Sequence, residues 1–325
     1  MGKDLEYIKE KAALDSACKR LLANKAILAW ILKDCVEEFK DCEIDDIAEK
    51  YIEGEPQIET SAVNPNEVNS EIIRGISNED SSLTEGNITY DIRFMALAPK
   101  SDEMIELIIN VEAQNDFYPG YPLIKRAIYY CSRMVSSQYG VEFTQSQYGK
   151  IKKVYSIWVC TNPPKNRENS ITSYSFTENN LVGDVKESKE NYDLMTAVMI
   201  CLGNDKGKNY DRVLKLLEVL LSSTTPTDRK KQILQNDFKI KMTQKLDEEV
   251  SAMCNISDGV EARGIAKGIA KGMAQGMAQG IESNTINSIK NLMKNLRFTA
   301  EQAMAALNVP EPEYDKYKIL LNKSK

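Results

Sequence analysis

Residues 87–140 read NITYDIRFMALAPKSDEMIELIINVEAQNDFYPGYPLIKRAIYYCSRMVSSQYG, and this stretch decides the fold. Ile88, Tyr90, Ile92, Phe94 and Ala96 alternate with other residues, as the side chains of a half-buried strand do. Pro99-Lys100-Ser101-Asp102 breaks the run, and Ile105–Val111 follows as an apolar, β-branched segment. The two halves predict an antiparallel hairpin, with paired residue numbers summing to roughly 203–205 if it closes near Ser101 and Asp102. Asp91 then faces Glu112-Ala113-Gln114. Glu112 and Gln114 are two apart and emerge on one face of their strand.

Further along, Pro122 suits the first turn of a helix expected from about Leu123 to Ser137. Arg126, Tyr129, Tyr130 and Arg133 recur at helical spacing on one side of it, with Lys125 beside them. Ile124, Ala127, Ile128, Cys131 and Met134 are assigned to the core-facing side. Val154–Cys160 is a strongly strand-like run ended by Asn162-Pro163-Pro164, and Ile171–Phe176 is a further strand. The order helix, strand, strand, helix, strand, strand predicts an α/β fold with a mixed central sheet flanked by helices.

Before the hairpin, residues 1–52 read as helical, with Leu28, Ile31, Leu32, Cys35 and Phe39 as a buried stripe and a short second helix at Ile44–Ile52. Glu38 sits at the edge of that stripe; it either reaches solvent or points toward the hairpin. Residues 53–86 are a polar surface excursion with room for a short strand near Gln57–Val63. Residues 186–258 read as a helical cap, with Met195–Leu202 and Val213–Leu221 as apolar helices and a helix start at Thr225-Pro226-Thr227-Asp228. Together with an α/β domain at 1–185, this leaves two C-terminal pieces.

Residues 259–282 contain GIAKGIAKGMAQGMAQG, with Gly at 264, 268, 272, 276 and 280. Four residues advance about 400°, so an apolar stripe of this period drifts by about 40° per repeat. The segment reads as an exposed or self-associating helical connector, or as a flexible linker. It has no GxxxxGK[ST] at a strand–helix junction, which removes nucleotide binding. Residues 283–325 form a small helical tail with a capping box at Thr299–Gln302. The tail has a helix-turn-helix outline, but its excess of cations over acids is small, seven against four, and docking or dimerisation is at least an equal reading.

Composition narrows the chemistry. With 42% hydrophobic and 28% charged residues the chain reads as soluble and globular, and no apolar run approaches a membrane span. Seven scattered cysteines without a CxxC read as reduced thiols of a cytoplasmic protein. The sequence contains no histidine, so Ser-His-Asp hydrolysis and His-held metals are excluded. A net charge of −6 argues against non-specific coating of nucleic acid, though phosphate contacts are local.

Asp91 and Glu112 on adjacent strands, with the Ala113 carbonyl, make an oxygen-donor site suited to Mg²⁺, Mn²⁺ or Ca²⁺. Gln114 is placed to orient a water, and the Lys125–Arg133 face to hold phosphates or stack on bases. The plainer reading makes Asp91 a strand-edge acid and Glu112–Gln114 a solvated strand end.

TYDIRF, IELIINVEAQNDFYPGYPLIKRAIYYCSRM and IKKVYSIWVCTNPP together resemble the PD-(D/E)XK nuclease family transposases, relatives of the recombination-promoting nucleases. The resemblance covers most of the chain and is most specific over residues 88–163. It implies a restriction-endonuclease-like core and a metal-dependent DNA endonuclease associated with recombination or mobile elements. Asp91 then matches the acid of the PD motif and Glu112-Ala113-Gln114 the (D/E)xK motif. Tyr90 stands where the family has Pro, and Gln114 where it has Lys. The rival expectation is a catalytically silent DNA- or protein-binding module that assembles through its helical C-terminus.

Overall fold

The computed structural model describes residues 2–58, 79–82, 86–100, 103–203 and 212–323. Its contacts divide the chain into two compact units, residues 1–258 and residues 259–325.

The first unit opens with α1 (Gly2–Leu22) and α2 (Lys25–Cys35). Asn24 starts α2 because its side-chain oxygen accepts the Ala26 N–H at 3.0 Å, satisfying one of the donors a helix start leaves over. Ile27, Leu28, Ile31 and Leu32 are its buried stripe. A single turn α3 (Ile44–Asp46) runs into a π-helical turn at Ile47–Tyr51. Strand β1 is only Gln57–Ile58. The rest of the expected strand near Gln57–Val63 lies outside the described residues.

The first half of the expected hairpin is two strands, not one. Gly86–Thr89 (β3) pairs with Glu79–Ser82 (β2) in a separate two-stranded ribbon, the chain bends at Asp91, and Ile92–Lys100 (β4) pairs with Glu103–Gln114 (β5). The β4–β5 register, Ile92↔Val111 through Lys100↔Glu103, has the expected sum.

Helix α4 (Leu123–Ser136) then crosses over to β6 (Lys153–Cys160), which lies parallel to β5 as such a connection requires. Next come β7 (Ser170–Ser175) and β8 (Met195–Cys201). The sheet is mixed, in the order β1-β4-β5-β6-β8-β7, with β8 parallel to β6 and antiparallel to β7.

Met195–Leu202 is therefore not a helix. An apolar run this short has no period that distinguishes a buried helix from a strand buried on both faces. The division at 185/186 falls away with it, because β8 completes the sheet and residues 186–258 are not a purely helical cap. The helices α5 (Val213–Leu221), α6 (Thr227–Asn236) and α7 (Gln244–Leu296) do follow. At α6 the N-cap is Pro226, and Thr225 bonds Ser222 instead of capping the helix.

Strand periodicity sorts the core into two layers. Ile109, Val111, Ile157, Val159, Val198 and Ile200 pack under α1, α2, α5 and the first turns of α7. On the opposite face Ile108, Val154, Trp158 and Met199 pack under α4. The buried side of α4 is Leu123, Ala127, Tyr130, Cys131, Arg133 and Met134, whereas Ile128 is exposed. The helix is thus rotated from the expected orientation, because the Tyr130 ring fits between Tyr90 and Trp158 at centroid distances of 5.3 and 5.4 Å.

In the second unit, α8 (Ala300–Ala306) begins with the reciprocal Thr299–Gln302 capping box, and α9 (Tyr314–Lys323) closes a small core of Ile289, Ala303, Met304 and Tyr317. The Gly repeat lies within α7.

Ile200 tests the placement of β8, since it is fully buried on that strand between β6 and β7. Ile200→Ala is expected to cost about 2–5 kcal/mol, read as a lower urea midpoint with an unchanged slope. A cost under about 1 kcal/mol, the range of exposed positions, would contradict it.

Candidate functional site

The site forms where the β4–β5 ladder ends. Tyr90 is anchored in the α4-side core, and the bend after it leaves Asp91 just beyond the last pair, Ile92↔Val111. There a side chain continues the ladder. The Asp91 N–H donates to Glu112 Oε1 at 3.1 Å, and the Ala113 N–H donates to Asp91 Oδ2 at 2.9 Å. Each acid accepts from the other strand's backbone, so both carboxylates are fixed by the register itself. Charge-assisted bonds of this kind are worth about 1.5–3 kcal/mol each.

Glu112 shares its face of β5 with Asn110, whose Nδ2 donates to the same Oε1 at 2.8 Å. Both side chains are buried. Asp91 Oδ1 meets Lys19 Nζ of α1 at 2.8 Å, and Lys19 also pairs with Asp15 at 3.0 Å. The ammonium is itself buried. Lys19 and Asn110 are the members that sequence reasoning missed. Asn110 was within reach of the spacing-of-two argument that joined Glu112 to Gln114. Lys19 lies on a distant helix and carries no local signal.

Burial dominates the electrostatics. It raises the Asp91 carboxyl above its ordinary pKa, against the pull of the Lys19 ammonium and the Ala113 N–H. Glu112 is pushed well above the usual carboxylate range by burial first and by the Asp91 charge second. Arg126 lies close enough to counter part of that. The result is a buried acid pair held together by geometry and short of positive charge.

The other expected members are distributed unevenly. The Gln114 carbonyl accepts the Thr161 N–H on the β6 side at 3.0 Å. Ala113, one residue earlier, turns its N–H and carbonyl to the opposite edge, where Asp91 sits. The Gln114 amide is held by the Asp116 carbonyl at 2.5 Å. Glu38 is not part of the site, nor is it left to solvent: it accepts from Lys153 at 2.9 Å and from the Tyr155 hydroxyl at 2.6 Å. Lys153 pairs with Leu107, five residues before Glu112 and so roughly 16 Å away along the strand.

On α4, Lys125 and Tyr129 are exposed and Arg126 is half-buried. Tyr130 and Arg133 are buried, so neither belongs to an open nucleic-acid face. The rotation of α4 accounts for this. Arg126 spends Nε and Nη2 on the Tyr130 hydroxyl and stacks over Tyr130 and Trp158 at 5.0 and 5.2 Å.

Comparison of the chain with protein-family models, with curated proteins and with solved structures returns no match. The donor set must therefore speak for itself. Among the described residues no group of three or more acidic, Cys or His side chains is placed to hold a metal ion. Two buried carboxylates with one backbone carbonyl fit a small hard cation that keeps several waters, as Mg²⁺ does, better than one needing six to eight protein oxygens.

Two outcomes test the electrostatics. The raised Glu112 pKa means its contribution to stability is complete below the ordinary carboxylate pKa and is lost as pH rises through the raised value. Glu112→Gln should therefore raise the melting temperature in chelator at pH 8, with the gain vanishing toward pH 4; a gain that does not depend on pH contradicts the assignment. Lys19→Met leaves a buried carboxylate without its ammonium and should cost about 3–5 kcal/mol in urea unfolding at pH 7. Most of that loss should return in Lys19→Met/Asp91→Asn.

Proposed function

We propose that this chain is a metal-dependent DNA endonuclease with a restriction-endonuclease-like core, acting in recombination or on mobile elements. The observation that carries the reading is the reciprocal lock of Asp91 and Glu112 at the end of β4 and β5, with both acids buried. The resemblance of residues 88–163 to the PD-(D/E)XK nucleases supports it from the sequence side. Asp91, Glu112 and the Ala113 carbonyl would hold the ion.

A bound divalent ion supplies Lewis-acid polarisation of a phosphoryl oxygen and a more acidic water. The chain's own part is positioning. The Asp91–Ala113 and Glu112–Asp91 bonds fix both carboxylates before substrate arrives. Lys19 holds Asp91 Oδ1 and offers positive charge where the family's lysine is lacking at 114. The Gln114 carboxamide, fixed through Nε2 by the Asp116 carbonyl, has Oε1 to accept a hydrogen bond from the attacking water. Hydrolysis forms one P–O bond to that water and breaks one to the leaving sugar oxygen, which takes up a proton.

A second reading has its own support: the Lys19 ammonium already balances Asp91, so the cluster can serve as a structural clasp in a catalytically silent DNA- or protein-binding module. Self-association would then fall to residues 259–325, where Ile269, Met273, Met277 and Ile281 are exposed.

Plasmid DNA with Mg²⁺ separates the two. The endonuclease reading expects cleavage that chelator abolishes and that Asp91→Ala and Glu112→Ala each reduce by about 10³-fold or more, with folding checked by circular dichroism. Cleavage retained in both variants, or no cleavage of either plasmid or single-stranded DNA by the parent protein, overturns it.

A further inference from the structure

We infer that the substrate presented to this site is single-stranded DNA, its bases stacked on Tyr118 and Tyr121; the inference rests on the endonuclease reading above. The chain leaves β5 at Gln114 and makes a turn, Asn115–Pro122, before α4 begins. That turn presents Tyr118 at 65% and Tyr121 at 44% exposure, and Tyr129 on α4 is 45% exposed. Surface tyrosines scattered singly would need no explanation. Tyr118 and Tyr121 lie in the turn that directly follows the site strand, and Arg126 links Tyr121 to Glu112 electrostatically.

The turn is pinned from several sides. Gln114 Nε2 donates to the Asp116 carbonyl, and Asp116 Oδ1 accepts the Tyr118 N–H at 3.0 Å. The Thr161 hydroxyl bonds Asn115 Oδ1 at 3.1 Å. Phe117 meets the Tyr118 ring edge-on at 5.1 Å and carries the Arg167 guanidinium over its own ring at 5.7 Å. The exposed ring is thus backed by a buttress of Phe117 and Arg167. A rigid aromatic offers stacking area at little cost in conformational freedom.

Cations interleave with the rings. Lys125, Lys165 and Arg167 are exposed, and Arg126 lies within electrostatic reach of both Glu112 and Tyr121. Few cations and several open rings match a strand whose bases are unpaired, because a stacked base must leave its duplex neighbours. A B-form duplex offers phosphates and groove edges instead, and binds mainly through many phosphate contacts. A chain of net charge −6 is poorly built for that.

The test uses the full chain and a labelled oligonucleotide, as single strand, as duplex and as the single-stranded RNA of the same sequence. Fluorescence anisotropy in Ca²⁺ reads binding, and cleavage in Mg²⁺ reads the reaction. Expected are tighter binding of single-stranded DNA than of duplex by at least about tenfold, and weakening by about 5- to 150-fold in Tyr118→Ala or Tyr121→Ala. Tyr121→Phe should retain the affinity, since the ring does the stacking.

Equal affinity for duplex, a preference for RNA, or tyrosine variants that fold and bind as before would overturn the inference. Cleavage of duplex that depends on Asp91, without any single-strand preference, removes the inference and leaves the endonuclease reading standing. Tyrosine-dependent single-strand binding without cleavage under any divalent ion removes that reading and leaves the tyrosines as a binding surface without a reaction.

Discussion

Two hydrogen bonds organise this molecule: the Asp91 N–H to Glu112 and the Ala113 N–H to Asp91. They occur where one strand has run out of partners, so acid side chains take the place that backbone carbonyls hold elsewhere in the ladder. Everything nearby follows from that. The bend at Asp91 anchors Tyr90 in the α4-side core, the register carries Glu112 and Asn110 to the same face, and α1 must bring Lys19 to the remaining oxygen of Asp91.

The arrangement is costly by itself. Burial raises both carboxyls, and the Asp91 charge raises Glu112 further, so ionising both acids in the metal-free protein is unfavourable. One ammonium shared with Asp15 and one half-buried guanidinium offset only part of this. That shortage of positive charge is the ground on which we propose that the cluster takes up a cation, since carboxylates perturbed by burial and by a like charge mark candidate sites.

Much of this was legible in the residues themselves. Alternation from Ile92 and the break after Pro99 are enough to give the β4–β5 register, because a side-chain period of two leaves no freedom once one face is buried. The same reasoning brought Asp91 opposite Glu112-Ala113-Gln114. It failed where periodicity is silent. Met195–Cys201 is apolar at almost every position, and a strand buried on both faces looks like a buried helix.

The orientation of α4 is not legible in the sequence, because the fold buries Tyr130 and Arg133, two polar side chains. The Tyr130 ring fills a gap between Tyr90 and Trp158 that only the tertiary structure creates. Lys19 could not have been found at all, since its partnership with Asp91 joins a helix and a strand with no pattern between them.

We propose that Asp91 and Glu112 form one cation-binding site. Isothermal titration calorimetry with Mn²⁺ on the metal-free protein measures it directly, without any demand on catalysis. The account predicts a single ion per chain, lost in Asp91→Asn and in Glu112→Gln and accompanied by proton release as the raised Glu112 carboxyl ionises. Binding of equal strength in both variants, or heat only at other acids of the surface, would contradict it.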